Sequence, residues 1–180
     1  MKYCKNFSYA ITGITFIFIA MFVFACSHDY KWVEYGIAPD RIRSANRLNS
    51  GRIDVINAQN DKEPRIIASI GVHKWYGTLH QLSEAIVTQL TDELEAHKVQ
   101  VARDSQKSIK IRVEKFEFIQ AFWGVRANMN TNVAAGDDYK REINVTNFTP
   151  VSVDNAYNGA VALTVIEILN DPQIIEYIAN

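Results

Sequence analysis

Two cysteines are all that this 180-residue chain carries, Cys4 and Cys26. Both stand in the first 26 residues, so the rest has no disulfide and no thiolate for a metal or a covalent intermediate. Glycine and proline are sparse, 8 and 4, and no glycines gather into a phosphate-cradling loop. Ser83 and Ser108 lack the glycine pattern of a nucleophile elbow, and neither is flanked by a histidine and an acid. Local sequence leaves open a triad assembled in space, but no catalytic residue is expected. His73, His80 and His97 are not spaced to supply the three or four ligands of a zinc site, so no metal is expected either. An excess of one charge is also missing. Lys and Arg number 19 against 20 Asp and Glu, which excludes the strongly basic surface of a nucleic-acid binder.

What the chain does have is a distinctive start. Lys2 and Lys5 precede a long apolar run from Tyr9 through Ile14, Phe16, Phe18, Met21 and Phe24. The run is roughly 17 residues, at the low edge of what spans a bilayer as a helix. It closes in Val23-Phe24-Ala25-Cys26-Ser27. A positive n-region, an apolar stretch and small residues at the cut mark an export signal. Three fates compete for Cys26: lipidation after cleavage, ordinary cleavage after Ala25, and retention of the segment as an anchor helix. An export cut requires no special residue after it, so a cysteine there favours lipidation. The start resembles a bacterial lipoprotein signal peptide. That resemblance implies that Cys26 becomes the first mature residue and carries a diacylglycerol and an N-acyl chain, with no other cofactor. Several chains hold a protein stably where one holds it marginally. Ser27 in place of the aspartate that retains lipoproteins at the inner membrane implies shipment to the outer membrane of a Gram-negative cell, facing the periplasm.

Three parts follow: a signal peptide at 1–25, a lipidated Cys26 and tether at 26–50, and one α+β domain at 51–180. Removing the signal leaves 17 basic and 20 acidic residues and a length that suits one sizeable core. The stretch after Cys26 is polar and has no clean period, although Trp32, Tyr35 and Ile37 are positioned to pack on the domain. Arg41, Arg43, Arg47 and Arg52 form a mild basic cluster. A solvated tether explains it; the sharper alternative is anionic head groups, which attract such residues by about 1 kcal/mol each.

Two strands are expected at Arg52–Asn57 and Arg65–Val72, the second with Ile66, Ala68, Ile70 and Val72 on one face. Thr78 with Gln81 forms a capping-box pattern before a helix over Leu79–His97. Its apolar stripe is Leu79, Leu82, Ile86, Leu90 and Leu94. Ile109, Ile111 and Val113 alternate with charged residues, then Phe116 and Phe118 take the opposite parity, which predicts a bulge near Glu114-Lys115. From Trp123 to Val133 the alternation is clean, one face buried and one wet. Ala135-Gly136-Asp137-Asp138 reads as a turn, and Tyr139–Phe148 returns with Ile143 and Val145 inward. A helix capped by Asp154 and a short one begun by Asp171-Pro172 close the chain. The order β-β-α-β-β-β-α-α argues for an α+β fold, an antiparallel or mixed sheet with helices packed on one face.

The lipoprotein-type start, the helix Leu79–His97, the hairpin from Ile109 to Val133 and the closing Leu169-Asn170-Asp171-Pro172-Gln173-Ile174-Ile175-Glu176-Tyr177-Ile178 together resemble the YajG-type family of bacterial lipoproteins. That resemblance implies an outer-membrane lipoprotein and carries over no catalytic residue. The expected function is non-enzymatic binding or scaffolding in the cell envelope. The alternatives are carriage of lipid between the helix and the sheet, or an undetected hydrolase. The expected partners are the membrane through the anchor and an envelope protein, lipid or peptidoglycan. Trp75-Tyr76 and Phe122-Trp123 are aromatic pairs. Core and edge packing explains them, but one member of each must face away from a one-sided core, which singles out Tyr76 and Phe122 as contact residues. Asn128, Asn130 and Asn132 form a polar row on the wet face. Solubility explains it; a glycan-binding row would use the same amides.

Overall fold

The stripe of five apolar residues builds the first α-helix among the described residues. In the computed structural model, which describes residues 27–43, 47–48 and 51–180, α1 runs Leu79–Ala96. Thr78 accepts from the Gln81 N–H at 3.0 Å and the Gln81 side chain accepts from the Thr78 N–H at 2.9 Å, so the capping box forms in both directions. Leu82, Ile86, Leu90 and Leu94 are fully buried, each contributing about 1.5–3 kcal/mol from removal of apolar surface from water. Gln89, which the pattern places off the stripe, is buried too; its amide donates to the Tyr35 carbonyl at 2.7 Å.

The described residues form eight strands: β1 Ser27–Asp29, β2 Arg52–Asn57, β3 Arg65–Ile70, β4 His73–Gly77, β5 Gln100–Val101, β6 Ser108–Ala121, β7 Gly124–Ala135 and β8 Tyr139–Thr149. Helices α2 Val153–Leu169 and α3 Pro172–Ala179 follow. The strands form two mixed sheets, one of five strands in the order β5-β2-β6-β7-β8 and one of three in the order β1-β4-β3. α1 packs on β2 and β6, α2 packs on β7 and β8, and the two helices touch each other. They therefore share one face of the large sheet. The fold is α+β with a mixed sheet and helices packed against it, as the pattern of elements predicts.

The long strands obey their periodicity. Ile109, Ile111 and Val113 of β6, Ala127, Met129 and Val133 of β7, and Ile143 and Val145 of β8 point under the helices. The register shifts between Val113 and Lys115. This bulge lets Phe116 and Phe118 return to the inner face, where Phe116 lies 5.7 Å from the Tyr157 ring. α2 is buried nearly all round, wedged among β7, β8 and α1.

Four expectations need correction. The stretch Arg65–Val72 is not one strand: Gly71, at φ +58°, turns the chain into β4, and a shift between Ile66 and Ala68 leaves Ile66 and Val72 exposed while Ile67 is buried. The element order therefore gains β4, with β1 and β5 as short parallel partners. The cap of α2 is Ser152, whose hydroxyl accepts from Asn155 N at 3.1 Å, not Asp154. β7 begins at Gly124 rather than Trp123. The lead-in, finally, is tied to the domain. Tyr30, Ile42 and Leu48 are buried in the core, β1 pairs with β4, and Asn170 bonds both Arg43 N and Arg41 O, at 2.8 and 2.9 Å.

One glycine carries a testable consequence. A Cβ on Gly159 would lie 2.1 Å from Asn147 Nδ2, and that amide donates to the Asn155 and Ala156 carbonyls at 3.0 Å each. Gly to Ala in a helix ordinarily gains about 1 kcal/mol. Here Gly159→Ala is expected to lose about 1–3 kcal/mol, because Asn147 is displaced from its two acceptors. Urea unfolding reads this directly. In an Asn147→Ala background the cost should vanish, a coupling that a double-mutant cycle isolates.

Candidate binding surface

The outer face of β6, β7 and β8 bears side chains in rows set by register. Glu117, Asn128 and Thr146 stand abreast, as do Lys115, Asn130 and Asn144. Asn132 follows beside Arg112 and Glu142. No element among the described residues covers this face. An open depression of about 320 Å³ lies across it, lined by Lys115, Glu117, Asn128, Asn130, Asn144 and Thr146.

The three asparagines of the predicted row do share the face, and they are engaged with their neighbours. Asn130 Nδ2 donates to Asn144 Oδ1 at 2.8 Å and also to Glu142. Asn132 Nδ2 donates to Glu114 Oε1 at 2.9 Å, and Asn128 Oδ1 accepts from Thr146 at 2.9 Å. Hydrogen bonds from Asn144 and Asn130 hold the Glu142 carboxyl below its usual range. The result is a cross-strand lattice of amides and carboxylates, pre-arranged rather than floppy, with amide donors and carbonyl oxygens still facing water.

At one end the lattice gives way to apolar residues. Ile119, Arg126 and Phe148 form the last row. Beyond it Phe122 and Trp123 make the two-residue turn joining β6 to β7, at 89% and 79% exposure. Their rings meet edge to face, centroids 4.8 Å apart. The pair was expected to split between core and solvent; both members face solvent because both lie in the turn. Nothing local announced it: turns favour Gly, Asn and Asp, and Phe-Trp reads as strand. Tyr76 is not part of this surface. It is half-buried in the middle strand of the small sheet, opposite Asp29 and Ile66. Its neighbour Trp75 stacks on His28, 4.9 Å between centroids.

The polar residues that could have suggested chemistry hold backbone instead. Where β2 ends, the β6 edge would be left with buried, unpaired groups. Ser83 Oγ accepts from Val113 N at 2.9 Å and Gln59 Nε2 donates to Val113 O at 2.5 Å, and both side chains are buried. Ser83→Ala is therefore expected to cost about 1–3 kcal/mol by orphaning a buried N–H, read as a lower thermal midpoint. His97 Nδ1 lies 2.8 Å from the Glu93 carbonyl and His80 Nδ1 2.5 Å from the Gln59 carbonyl. Among the described residues no cluster of His, Cys, Asp and Glu forms that would hold a metal. Burial above all, with Asp154 nearby, pushes the Tyr30 and Tyr157 hydroxyls up, so both stay protonated.

No family model matches the chain, and no curated protein does. Among solved structures, the chain is similar to the crystal structure of a Xanthomonas campestris protein of family DUF330, at 14% identity over 85% of this chain and 95% of that one, with a TM-score of 0.48. An uncharacterized protein aligns at 11% identity over 80% of this chain and 94% of that one, with a TM-score of 0.44. At these scores neither likeness bears on what the protein does.

Proposed function

We propose that the protein is a lipoprotein anchored through Cys26 to the outer membrane, facing the periplasm, and that it acts by binding rather than by catalysis. The observation that carries the binding role is the outer face of the large sheet: broad, uncovered among the described residues, and lined by a fixed lattice of amides and carboxylates. Such a face suits a polar, hydrogen-bonding partner, an envelope protein or a glycan. Cys26 itself lies outside the described residues, and its lipidation rests on the sequence pattern. The family reading stands on the same ground: the YajG-type resemblance of start, helix, hairpin and closing segment. Beneath α1, Leu82, Ile86, Leu90, Ile109 and Ile111 are fully buried, which leaves no room for an acyl chain between the helix and β6.

A photo-crosslinking residue placed at Asn130 in the full chain, expressed in a Gram-negative host, tests the binding role. One discrete adduct is expected from Asn130 and none from Lys98, an exposed position outside the sheet. Equal, diffuse labelling from both positions would sink the proposal.

A further inference from the structure

The aromatic turn is explained neither by turn formation nor by packing. Two-residue hairpins favour Asn-Gly or Gly-X, with positive φ at one or both positions. Phe122 and Trp123 take no positive φ and bury almost nothing. They are not isolated. A Cβ on Gly124 would meet Thr149 O at 2.5 Å and Pro150 Cα at 2.9 Å, so the turn lies against the β8 end. There Phe148 and Val151 are exposed at 50% and 72%, and Ile119 and Phe148 flank Arg126 across the strands. Five exposed apolar side chains and one guanidinium thus share one end of the molecule.

The same end receives the start of the described chain. Ser152 caps α2 directly after Val151. Ser27, His28, Lys31 and Trp75 line a depression with Asp154 of the first turn of α2. Ser27 is already strand, opposite Lys74. No free spacer separates the domain from Cys26, so whatever holds Cys26 lies against this end. Trp and Phe on a projecting tip beside Arg are residues that favour the bilayer interface.

We infer that Phe122 and Trp123, backed by Ile119, Phe148 and Val151 and with Arg126 set toward anionic head groups, enter the interfacial layer of the bilayer to which Cys26 is attached. This rests on the anchored reading and deepens it. Two points of attachment fix the orientation: β6, β7 and β8 rise from the membrane, and the amide lattice faces sideways into the periplasm.

The test uses the full chain purified from a Gram-negative host and reconstituted into phosphatidylethanolamine–phosphatidylglycerol vesicles, part of the lipid carrying brominated acyl chains. Tryptophan quenching is compared between the wild type and Trp123→Phe, alongside vesicle flotation. Both turn side chains are exposed, so the variant keeps its fold. The expected result is co-flotation of both proteins, with bromolipid quenching falling by at least about half in Trp123→Phe because the interfacial indole is gone. Co-flotation with Trp123 unquenched overturns the tip contact and leaves the anchor standing. A wild type that does not float overturns both. A blue shift of Trp123 with protein concentration in detergent, without lipid, would show a second copy covering the tip and also overturn the inference.

Discussion

Asp171→Ala is expected to destabilise the protein by about 3 kcal/mol at neutral pH, combining the loss of a buried acid from an ion pair with the loss of a helix cap. Asp171 is 3% exposed. One carboxylate oxygen accepts from Gln173 N at 2.8 Å and Ile174 N at 3.1 Å, starting α3. The other accepts from Arg141 at 2.6 Å and from the Tyr139 hydroxyl at 2.7 Å. Arg141 is a third exposed and also reaches Glu167 at 3.2 Å, so water and Glu167 soften its loss. The cost sits mainly in the cap and in the orphaned Tyr139 hydroxyl. Without its first turn, α3 loses the seating of Ile174, Ile175 and Ile178, all buried. Asp171→Asn keeps an acceptor for the cap and should cost less.

The same residue sets a pH dependence. Burial alone would raise the Asp171 carboxyl, but the hydrogen bonds from Tyr139, the Ile174 N–H, Arg141 and the Gln173 N–H outweigh it and hold the carboxyl below its usual range. The unfolded chain then binds a proton more readily than the folded one. The stabilisation is complete above the unfolded value of about 3.9 and is lost as pH falls through the lower folded value. Unfolding midpoints of wild type and Asp171→Asn should therefore differ most above pH ~5 and converge as pH falls through the folded value.

Cys26→Ala carries the largest expected effect on location. If acyl chains at Cys26 hold the protein, the substitution removes both the attachment and the processing site. The protein should vanish from the outer membrane and remain as a longer precursor at the inner membrane, its apolar segment uncut. Each buried methylene of an acyl chain contributes about 0.8 kcal/mol, so no surface contact, the aromatic tip included, replaces the anchor. Separation of inner and outer membranes with immunoblotting reads both size and place. Unchanged recovery in the outer membrane would contradict the anchor.

Much of the fold was legible because its signals are local. The capping box at Thr78 and Gln81, the Asp171-Pro172 start of α3 and the phase change at Glu114-Lys115 each depend on residues a few positions apart. What was hidden depends on long-range partners. Val72 continues an alternating pattern and masks the two-residue turn at Gly71-Val72 that folds β4 back on β3. Ser152 and Asp154 are both good caps, and β8 decides between them by fixing where the chain enters α2. Tyr30, Ile42 and Leu48 sit in a polar stretch whose burial is supplied by elements far along the chain. The asparagine row was legible from period alone. The aromatic tip was not, since a Phe-Trp turn carries no turn signal, and its partners Arg126, Phe148 and Val151 gather only through strand register.

The measurement that bears most directly on the account is the mass of the mature N-terminal peptide, taken from the full chain expressed in a Gram-negative host. A peptide beginning at Cys26 and carrying a diacylglycerol and an N-acyl chain is the predicted result. A peptide beginning at an unmodified Cys26, or one that still contains Met1 to Ala25, would contradict it.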